Sequence, residues 1–354
     1  MNNKKEYKQS TTNYKSPTIL VTGGAGFIGS NFIIYLLNKY PGYKVLNLDA
    51  LKYSGNLDNL KDIEHYQNYS FIKGDICDTK LLDRLFNEHK PDYVVNFAAE
   101  SHVDRSINDP GIFVRTNVEG TQVLLDACRK HWLRNGSELR VQSSEKTSDF
   151  QLSASNKYLQ ISTDEVYGSL GDKGYFNENS PLAPNSPYSA SKASADMFVR
   201  AYYKTYGLNI NITRCSNNFG LRQYPEKLIP LMITNALQDK ELPVYGDGMN
   251  IRDWLYVEDH CRAIDLVLHE GRPGEVYNIG GNNEKTNLEI VKLILKELGK
   301  PDTLIKFVKD RLGHDRRYAV DSTKIRNELN WQPEMKFETG IIKTINWHME
   351  RISV

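Results

Sequence analysis

The stretch Thr18–Ser30, TILVTGGAGFIGS, joins a run of apolar residues to a glycine-rich turn and the start of an amphipathic segment. Gly23, Gly26 and Gly29 are spaced as G-x-x-G-x-x-G, so the turn can close tightly and backbone N–H groups can approach a pyrophosphate. A strand, this turn and a helix in succession indicate a dinucleotide site rather than a glycine turn without a ligand. The residues predicted to hold the dinucleotide here are Gly23, Gly26, Phe27, Ile28 and Gly29.

Later strand ends extend the predicted dinucleotide site. Asp49 ends the second strand, where an acid accepts hydrogen bonds from the adenosine ribose and repels a 2′-phosphate, so NAD is favoured over NADP. Lys52 lies close enough in sequence to weaken that preference slightly. Further cofactor contacts are expected after the third and fourth strands, from Asp75, Ile76, Ala98 and Ala99.

The same order of strand, turn and helix repeats along residues 18–216. Apolar strands that alternate with amphipathic helices are typical of βαβ units, so we predict an α/β fold with a Rossmann-type, doubly wound parallel sheet. This part would form most of the NAD-binding domain. After residue 217 the alternation loosens, which predicts a smaller C-terminal α/β lobe over residues 217–354, with the chain crossing between the lobes.

Composition limits the classes of function. The chain has 354 residues and a net charge of +1, without a basic block, so nothing favours nucleic acid or a membrane surface as a partner. No apolar run approaches the roughly 20 residues of a membrane span. The four cysteines are far apart and the histidines lack metal-ligand spacing, so we expect reduced thiols, no metal site and a cytoplasmic location. Residues 1–17 are predicted to be a disordered tail, and the polar stretch Asn135–Asn156 a surface loop.

A second motif, STDEVYG over Ser162–Gly168, follows the apolar run KYLQI. Ser162 and Glu165 fit a capping box, in which a hydroxyl and a carboxylate satisfy free N–H groups at a helix start. The alternative is catalysis by Thr163, Asp164 and Glu165. Because neighbours on a strand point to opposite faces, both carboxylates can reach one substrate only if the strand ends near Ser162.

Tyr188 and Lys192 form a Tyr-x-x-x-Lys pair that lies on one face of a predicted helix. The charge of the lysine is expected to lower the pKa of the tyrosine, so that the phenolate acts as a base. The same spacing recurs at Tyr35/Lys39, Tyr40/Lys44 and Tyr69/Lys73, without the small-residue helix that could pack on a cofactor. Tyr167 lacks a lysine partner and is interpreted as a packing residue.

The motifs VTGGAGFIG, STDEVYG and YSASK together resemble the extended short-chain dehydrogenase/reductase family, which modifies nucleotide-linked sugars. Further motifs, such as FAAESHVDRSI, PVYGDGMNIRDWLYVEDH and DRLGHDRRYA, are similar to the branch of 4,6-dehydratases that act on dTDP-glucose. The resemblance covers about Thr18–Trp347. Related 4-epimerases usually lack the pair that Asp164 and Glu165 form here.

The resemblance implies a hydro-lyase that uses NAD. Tyr188, assisted by Lys192, would take the proton of the sugar 4-hydroxyl while hydride passes to NAD, and Thr163 would orient the same oxygen. Glu165 would remove the C5 proton, and a protonated Asp164 would donate to the 6-hydroxyl so that water leaves. Hydride return to C6 gives a 4-keto-6-deoxy sugar.

The resemblance also implies further binding residues, most of them in the C-terminal part of the chain. Ser101 would contact the hexose, and Thr116 and Asn218 would line the cofactor site. The nucleoside diphosphate would be held by Asn217, Lys227, Leu228, Pro243, Val244, Tyr245, Arg252, Asn287, Arg311 and His314. The chain departs from the family's pattern at two places near the proposed nucleotide site. Leu312 stands where the family often has proline, and Leu221 and Arg222 stand where it often has proline and an aromatic residue. Both departures bear on the identity of the nucleobase more than on the chemistry.

Two alternatives stay open. One is a different reaction on this scaffold, namely 4,6-dehydration of a UDP- or CDP-linked sugar, or 4-epimerisation of a nucleotide sugar. The other is a protein that binds NAD without turnover, against which the presence of Tyr188 and Lys192 argues. The family further implies a homodimer formed by two helices of each subunit, those containing GTQVLLDACRKH and SKASADMFVRAYY.

Overall fold

The computed structural model describes residues 16–133 and 156–352. Strands of three to seven residues lie at most of the predicted places. They are β1 Thr18–Thr22, β2 Lys44–Asp49, β3 Tyr69–Lys73, β4 Tyr93–Asn96, β5 Lys157–Thr163, β6 Ile210–Cys215, β7 Asn217–Phe219, β8 Leu242–Tyr245, β9 Ile251–Tyr256, β10 Val276–Ile279, β11 Glu284–Thr286 and β12 Ile305–Val308.

Helices occupy much of the chain between these strands. They are α1 Phe27–Lys39, α2 Thr79–His89, α3 Val103–Asn108, α4 Pro110–Phe113, α5 Gly120–Trp132, α6 Pro187–Tyr206, α7 Leu228–Leu237, α8 Val257–Glu270, α9 Asn287–Glu297, α10 Thr323–Leu329 and α11 Phe337–Ile352. Short 3-10 helices cover Leu57–Ile63, Asp164–Tyr167 and Asp302–Leu304, and a π-helical stretch, Val114–Glu119, precedes α5.

A parallel sheet of order β10-β6-β5-β4-β1-β2-β3 forms the centre of the molecule. Successive residues of a strand face opposite sides, so Ile19 and Val21 pack into the core beneath α1 and α8, whereas Leu20 packs into the core beneath α2, α5 and α6. Helices therefore cover both faces. The prediction of a Rossmann-type, doubly wound parallel sheet is confirmed.

A smaller lobe contains a sheet of order β11-β9-β7 and the pair β12-β8. Its core includes buried residues of α7, α9 and α11. β10 comes after residue 217 in the chain yet pairs with β6 in the central sheet, so the chain returns to the larger lobe before it ends in the smaller one.

Residues 1–15 and 134–155 lie outside the described residues, and with them most of the predicted tail and the predicted loop Asn135–Asn156. Within residues 16–133 and 156–352, no helix is both long enough and apolar enough to cross a bilayer.

Candidate active site

A cleft lies where the strands β1, β2, β4 and β5 end, at their carboxyl edge. Ligands of doubly wound sheets bind at this edge, because the loops that follow parallel strands converge there. Predicted site residues that line it are Gly23, Gly26, Phe27, Ile28, Gly29, Asp49, Asp75, Ile76, Ala98, Ala99, Ser101, Thr116, Thr163, Asp164, Glu165, Tyr188, Lys192, Asn217, Asn218 and Lys227.

The glycine-rich turn leaves no room for side chains. Gly23 has a φ of +70°, and a Cβ there would lie 2.6 Å from the backbone nitrogen of Ala98. A Cβ on Gly29 would lie 2.4 Å from the carbonyl oxygen of Gly23. Gly26 precedes α1 and provides no side-chain cap, so the start of the helix faces the cleft with its dipole available to an anion.

The carboxylate of Asp49 holds its own loop while it faces the cleft. One oxygen accepts from the N–H of Ala25 at 2.9 Å and the other from the N–H of Leu51 at 2.8 Å. Each oxygen keeps a lone pair for a ribose hydroxyl. Lys52 pairs with Asp75 at 3.3 Å and donates to Thr116 at 3.1 Å, and its charge also acts on Asp49, where it opposes the rise in pKa that burial causes.

The motif STDEVYG changes from strand to 3-10 helix at Thr163. Thr163 caps the 3-10 helix, since its hydroxyl accepts from the N–H of Glu165 at 3.3 Å. The cap is therefore not Ser162, whose buried hydroxyl has no hydrogen-bond partner, and the capping-box interpretation is wrong. The strand ends one residue beyond Ser162, and the turn brings Asp164 and Glu165 to the cleft together.

The two adjacent carboxyl groups have different surroundings. Burial, followed by the neighbouring Glu165, raises the pKa of Asp164 well above its usual range. Burial also raises the pKa of Glu165, but the positive charges of Arg311, Arg252 and Lys227 oppose the rise. This contrast is the kind that separates an acid from a base in one site.

Tyr188 and Lys192 occupy the first turns of α6, which begins after a capping box between Ser186 and Ser189. The ammonium group of Lys192 donates to the carbonyl oxygen of Ile161 at 2.6 Å, which fixes it against the end of β5. Burial and then Glu165 raise the pKa of Tyr188 well above its usual value. The net effect is opposite to the lowering expected from the lysine.

Among the residues that the structure describes, neither Tyr167 nor Tyr35 lines the cleft. The Tyr167 hydroxyl donates to Asn278 at 2.8 Å and accepts from Arg214 at 3.0 Å, inside the core. Tyr35 and Lys39 both contact Asp265, far along the chain. The interpretation of Tyr167 as a packing residue is confirmed.

Eight predicted diphosphate residues do not line this cleft: Leu228, Pro243, Val244, Tyr245, Arg252, Asn287, Arg311 and His314. Val244 is buried in the core of the smaller lobe, so only its backbone can face a ligand. Arg252 lies over the ring of Tyr318 and donates to the carbonyl oxygen of Asp315 at 3.0 Å. Arg311 lies 3.7 Å from Asp104 of α3. The two guanidinium groups nevertheless act electrostatically on Glu165.

Leu221 and Arg222, one of the two departures from the family's pattern, contact residues of the larger lobe. Arg222 points toward the larger lobe, where it donates to the carbonyl oxygen of Asn59 and to the side chain of Asn31, each at 3.1 Å. The second departure, Leu312, is 72% exposed. The relation of these departures to the nucleobase stays a prediction.

Several cleft residues were missed by sequence reasoning: Tyr53, Ser54, Gln223, Tyr224 and Glu226. Their signal is position, since they lie shortly after β2 and β7, whose carboxyl ends adjoin the site. Glu226 lies 3.8 Å from the imidazole of His102. Among the described residues no group of His, Cys, Asp or Glu has the arrangement of a metal site, and Cys77, Cys128, Cys215 and Cys261 are free thiols.

Comparison with known proteins decides the family. The family model described as GDP-mannose 4,6 dehydratase matches residues 20–344. A dTDP-glucose 4,6-dehydratase of Xanthomonas campestris is 52% identical over 94% of this chain and 93% of its own length. The dTDP-glucose 4,6-dehydratase of Escherichia coli is 48% identical, with the same shares covered.

The chain belongs to the dTDP-glucose 4,6-dehydratase family.

Solved structures agree with this assignment. The dTDP-glucose 4,6-dehydratase of Bacillus anthracis, crystallised with NAD, is 53% identical to this chain and has a TM-score of 0.84. The match covers 95% of this chain and 98% of the Bacillus anthracis chain. A UDP-glucose 4-epimerase from Thermotoga maritima has a TM-score of 0.82 at 30% identity, with 95% and 99% of the two chains covered. Dehydratase and epimerase thus share the fold, and the side chains of the cleft must distinguish their reactions.

Proposed function

We propose that this protein is an NAD-dependent hydro-lyase that converts dTDP-glucose to dTDP-4-keto-6-deoxy-glucose. The observation that carries the proposal is the turn after β5, which places Asp164 and Glu165 side by side in one cleft with Tyr188. An epimerase needs neither an acid at O6 nor a base at C5. A dehydratase needs both, in opposite protonation states.

The cleft fits NAD by the shape of its backbone. The turn at Gly23 and Gly29 has no space for a Cβ, and the uncapped start of α1 suits a pyrophosphate. Asp49 and Asp75 provide carboxylates for the adenosine end, and Tyr188 and Lys192 lie at the other end of the same cleft. When bound, NAD supplies the acceptor for the hydride from C4, returns that hydride to C6, and in its oxidised form adds a positive charge.

Oxidation at C4 requires removal of the hydroxyl proton. Tyr188 takes this proton, and the hydroxyl of Thr163 holds the same sugar oxygen. Because burial raises the pKa of Tyr188, the phenolate forms only when positive charge is close. Lys192, which lies one turn further along α6 and is fixed by the carbonyl oxygen of Ile161, is assigned this role.

Elimination of water then divides between the adjacent carboxyl groups. The C4 ketone acidifies the hydrogen on C5, which Glu165 removes while the C6–O bond breaks. Asp164, which burial keeps protonated, donates its proton to the departing oxygen, so that neutral water leaves. The C5–C6 double bond that results is the site at which hydride and a proton are added back.

Binding of the nucleoside diphosphate is assigned to cations around Glu165. Lys227 lies in the cleft and donates to the carbonyl oxygen of Ser101 at 2.8 Å. Arg252 and Arg311 can each bind two phosphate oxygens at once, because the guanidinium group is a planar fork. A diphosphate would replace Asp104 as the partner of Arg311.

The activity is tested by incubation with dTDP-glucose and with UDP-glucose, separately, in heavy water. We expect loss of one water from dTDP-glucose, with deuterium at C5 of the product, measured by mass spectrometry. An unlabelled C4 epimer, or no turnover of either sugar nucleotide, would contradict the proposal. Turnover of UDP-glucose alone would assign a different nucleobase to the same chemistry.

We also propose that the protein is a cytoplasmic homodimer. The free thiols support a reducing compartment. Met197 and Phe198 on α6 are 46% and 38% exposed, which leaves an apolar surface on one of the two helices expected at the interface.

A further inference from the structure

We propose that Arg222 is a positioning residue that couples the nucleotide-sugar site to the retention of NAD. It does so by joining the loop Gly220–Lys227 of the smaller lobe to the glycine-rich turn. The inference rests on the proposed function, because the two ligands are those assigned above. The coupling is proposed for this chain, in which an arginine stands where the family's pattern often has an aromatic residue.

The Arg222 side chain is held by several partners although its backbone is in an unusual conformation. Its φ is +69°, which L residues adopt rarely, and its side chain is only 14% exposed. Nε donates to the carbonyl oxygen of Asn59 and Nη1 to the side-chain oxygen of Asn31, each at 3.1 Å. Asp62 lies 3.9 Å from Nη2. Such a backbone conformation persists where surrounding contacts fix it.

The partners of Arg222 are themselves bonded to the dinucleotide turn. The amide of Asn59 donates to the carbonyl oxygen of Ala25 at 3.1 Å, inside the turn. The amide of Asn31 donates to the carbonyl oxygens of Phe27 and Leu221, each at 2.9 Å. Arg222 therefore joins both sides of the turn, the segment after β2 and helix α1, to the loop that carries it.

The loop begins next to the cleft and ends in it. Asn217 and Asn218 precede it and Lys227 ends it, and all three line the cleft. Gln223 donates to the carbonyl oxygen of Asn218 at 2.9 Å, which closes the loop on itself. A nucleoside diphosphate that orders Lys227 would therefore also restrain Arg222 and, through Asn59, the turn around NAD. By linkage, NAD would tighten diphosphate binding by the same factor.

The test measures exchange of bound NAD in the purified holoenzyme. Protein charged with radiolabelled NAD is mixed with excess unlabelled NAD, with or without dTDP, and the rate of label loss is recorded. In the unmodified protein we expect dTDP to slow the loss. In Arg222→Gln we expect loss about tenfold faster without dTDP, and no further slowing when dTDP is added.

Two further variants separate positioning from general destabilisation. Asn59→Ala removes only the link to Ala25 and should reproduce the effect of Arg222→Gln. Arg262→Gln is the matched control, since Arg262 contacts Asp259, Glu334 and Gln332 and none of these belongs to the turn. It should lower the melting temperature and leave NAD exchange unchanged.

The inference would be overturned if Arg222→Gln exchanged NAD at the rate of the unmodified protein, or if dTDP still slowed the exchange in this variant. It would also be overturned if dTDP had no effect on NAD exchange in the unmodified protein. Failure of the unmodified protein to hold NAD at all would instead overturn the proposed function. The two failures are therefore distinguishable in one experiment.

Discussion

At the scale of single residues, Asp164 and Glu165 show how neighbours acquire opposite roles. Both are withdrawn from water, which favours the neutral acid in each case. For Glu165, the main influence that opposes burial is the positive charge of Arg311, Arg252 and Lys227. This charge counteracts the rise in its pKa and restores part of its tendency to ionise. The order of the pair in the chain does not determine which one is the acid; the charges supplied by distant elements do.

Removal of the base should separate oxidation from elimination. In Glu165→Gln we expect NADH absorbance to develop on addition of dTDP-glucose, while the rate of water loss falls by about 10²–10⁴-fold, the usual contribution of a general base. Stopped-flow absorbance and mass analysis measure the two steps. Glu284→Gln, which breaks an ion pair with Arg317, is the control and should leave both steps unchanged. If Glu165→Gln abolished NADH formation in a folded protein, the assignment of roles would be wrong.

Ionisation of Asp164 should lower the free energy of unfolding progressively as the pH rises. Its pKa in the folded state is raised, whereas in the unfolded chain it is about 3.9, so the folded protein binds the proton more tightly. The stabilisation is fully present below the unfolded pKa and is lost as the pH rises through the folded pKa. We expect Asp164→Asn to gain in melting temperature relative to the parent as the pH increases above the unfolded pKa, since the amide cannot ionise. A difference that stays constant with pH would show that Asp164 is not held protonated.

At the scale of elements, the glycine-rich turn depends on close approach of backbone to backbone. We expect Gly29→Ala to lose bound NAD and to cost roughly 1–3 kcal/mol of stability, the usual penalty of forcing atoms into an occupied space. Gly42→Ala is the matched control, because a Cβ there meets no atom within 4 Å. NAD released on denaturation and the melting temperature are the measurements. Equal NAD content in the two variants would contradict this account of the turn.

Much of the architecture could be predicted because its signals are local. Apolar strands alternate with helices up to residue 216, and the spacing of Gly23, Gly26 and Gly29 is read directly from the sequence. The smaller lobe gave weaker signals, since strands of three or four residues such as β7, β11 and β12 are too short to show a period of two.

The missed features of the site depend on contacts between distant residues. The pKa of Tyr188 is set by burial and by the carboxylate of Glu165, which no helical spacing reveals. Arg222 lies beside an assigned site in sequence, but its partners Asn31 and Asn59 are more than 160 positions earlier in the chain. The cap at Thr163 rather than Ser162 depends on where β6 stops pairing with β5, and the register extends to Thr163 and Cys215.

At the scale of the whole molecule, the exposed face of α6 should determine assembly. The double change of Met197 and Phe198 to Glu places two charges on the surface proposed to pair, so we expect a monomer by light scattering at concentrations where the parent is a dimer. Ile342→Glu on α11, a residue that is 44% exposed, is the control and should leave the mass unchanged. An unaltered dimer in the double variant would place the interface elsewhere.

The return of β10 to the central sheet has a consequence for synthesis of the protein. Until residue 279 has left the ribosome, β6 presents an unpaired row of N–H and C=O groups at the sheet edge. At about 5–20 residues per second, the 64 residues from Ser216 to Ile279 keep that edge open for several seconds. A nascent chain in this interval can pair strands with its neighbours on the same messenger, and the pairing of β10 with β6 removes that exposed edge.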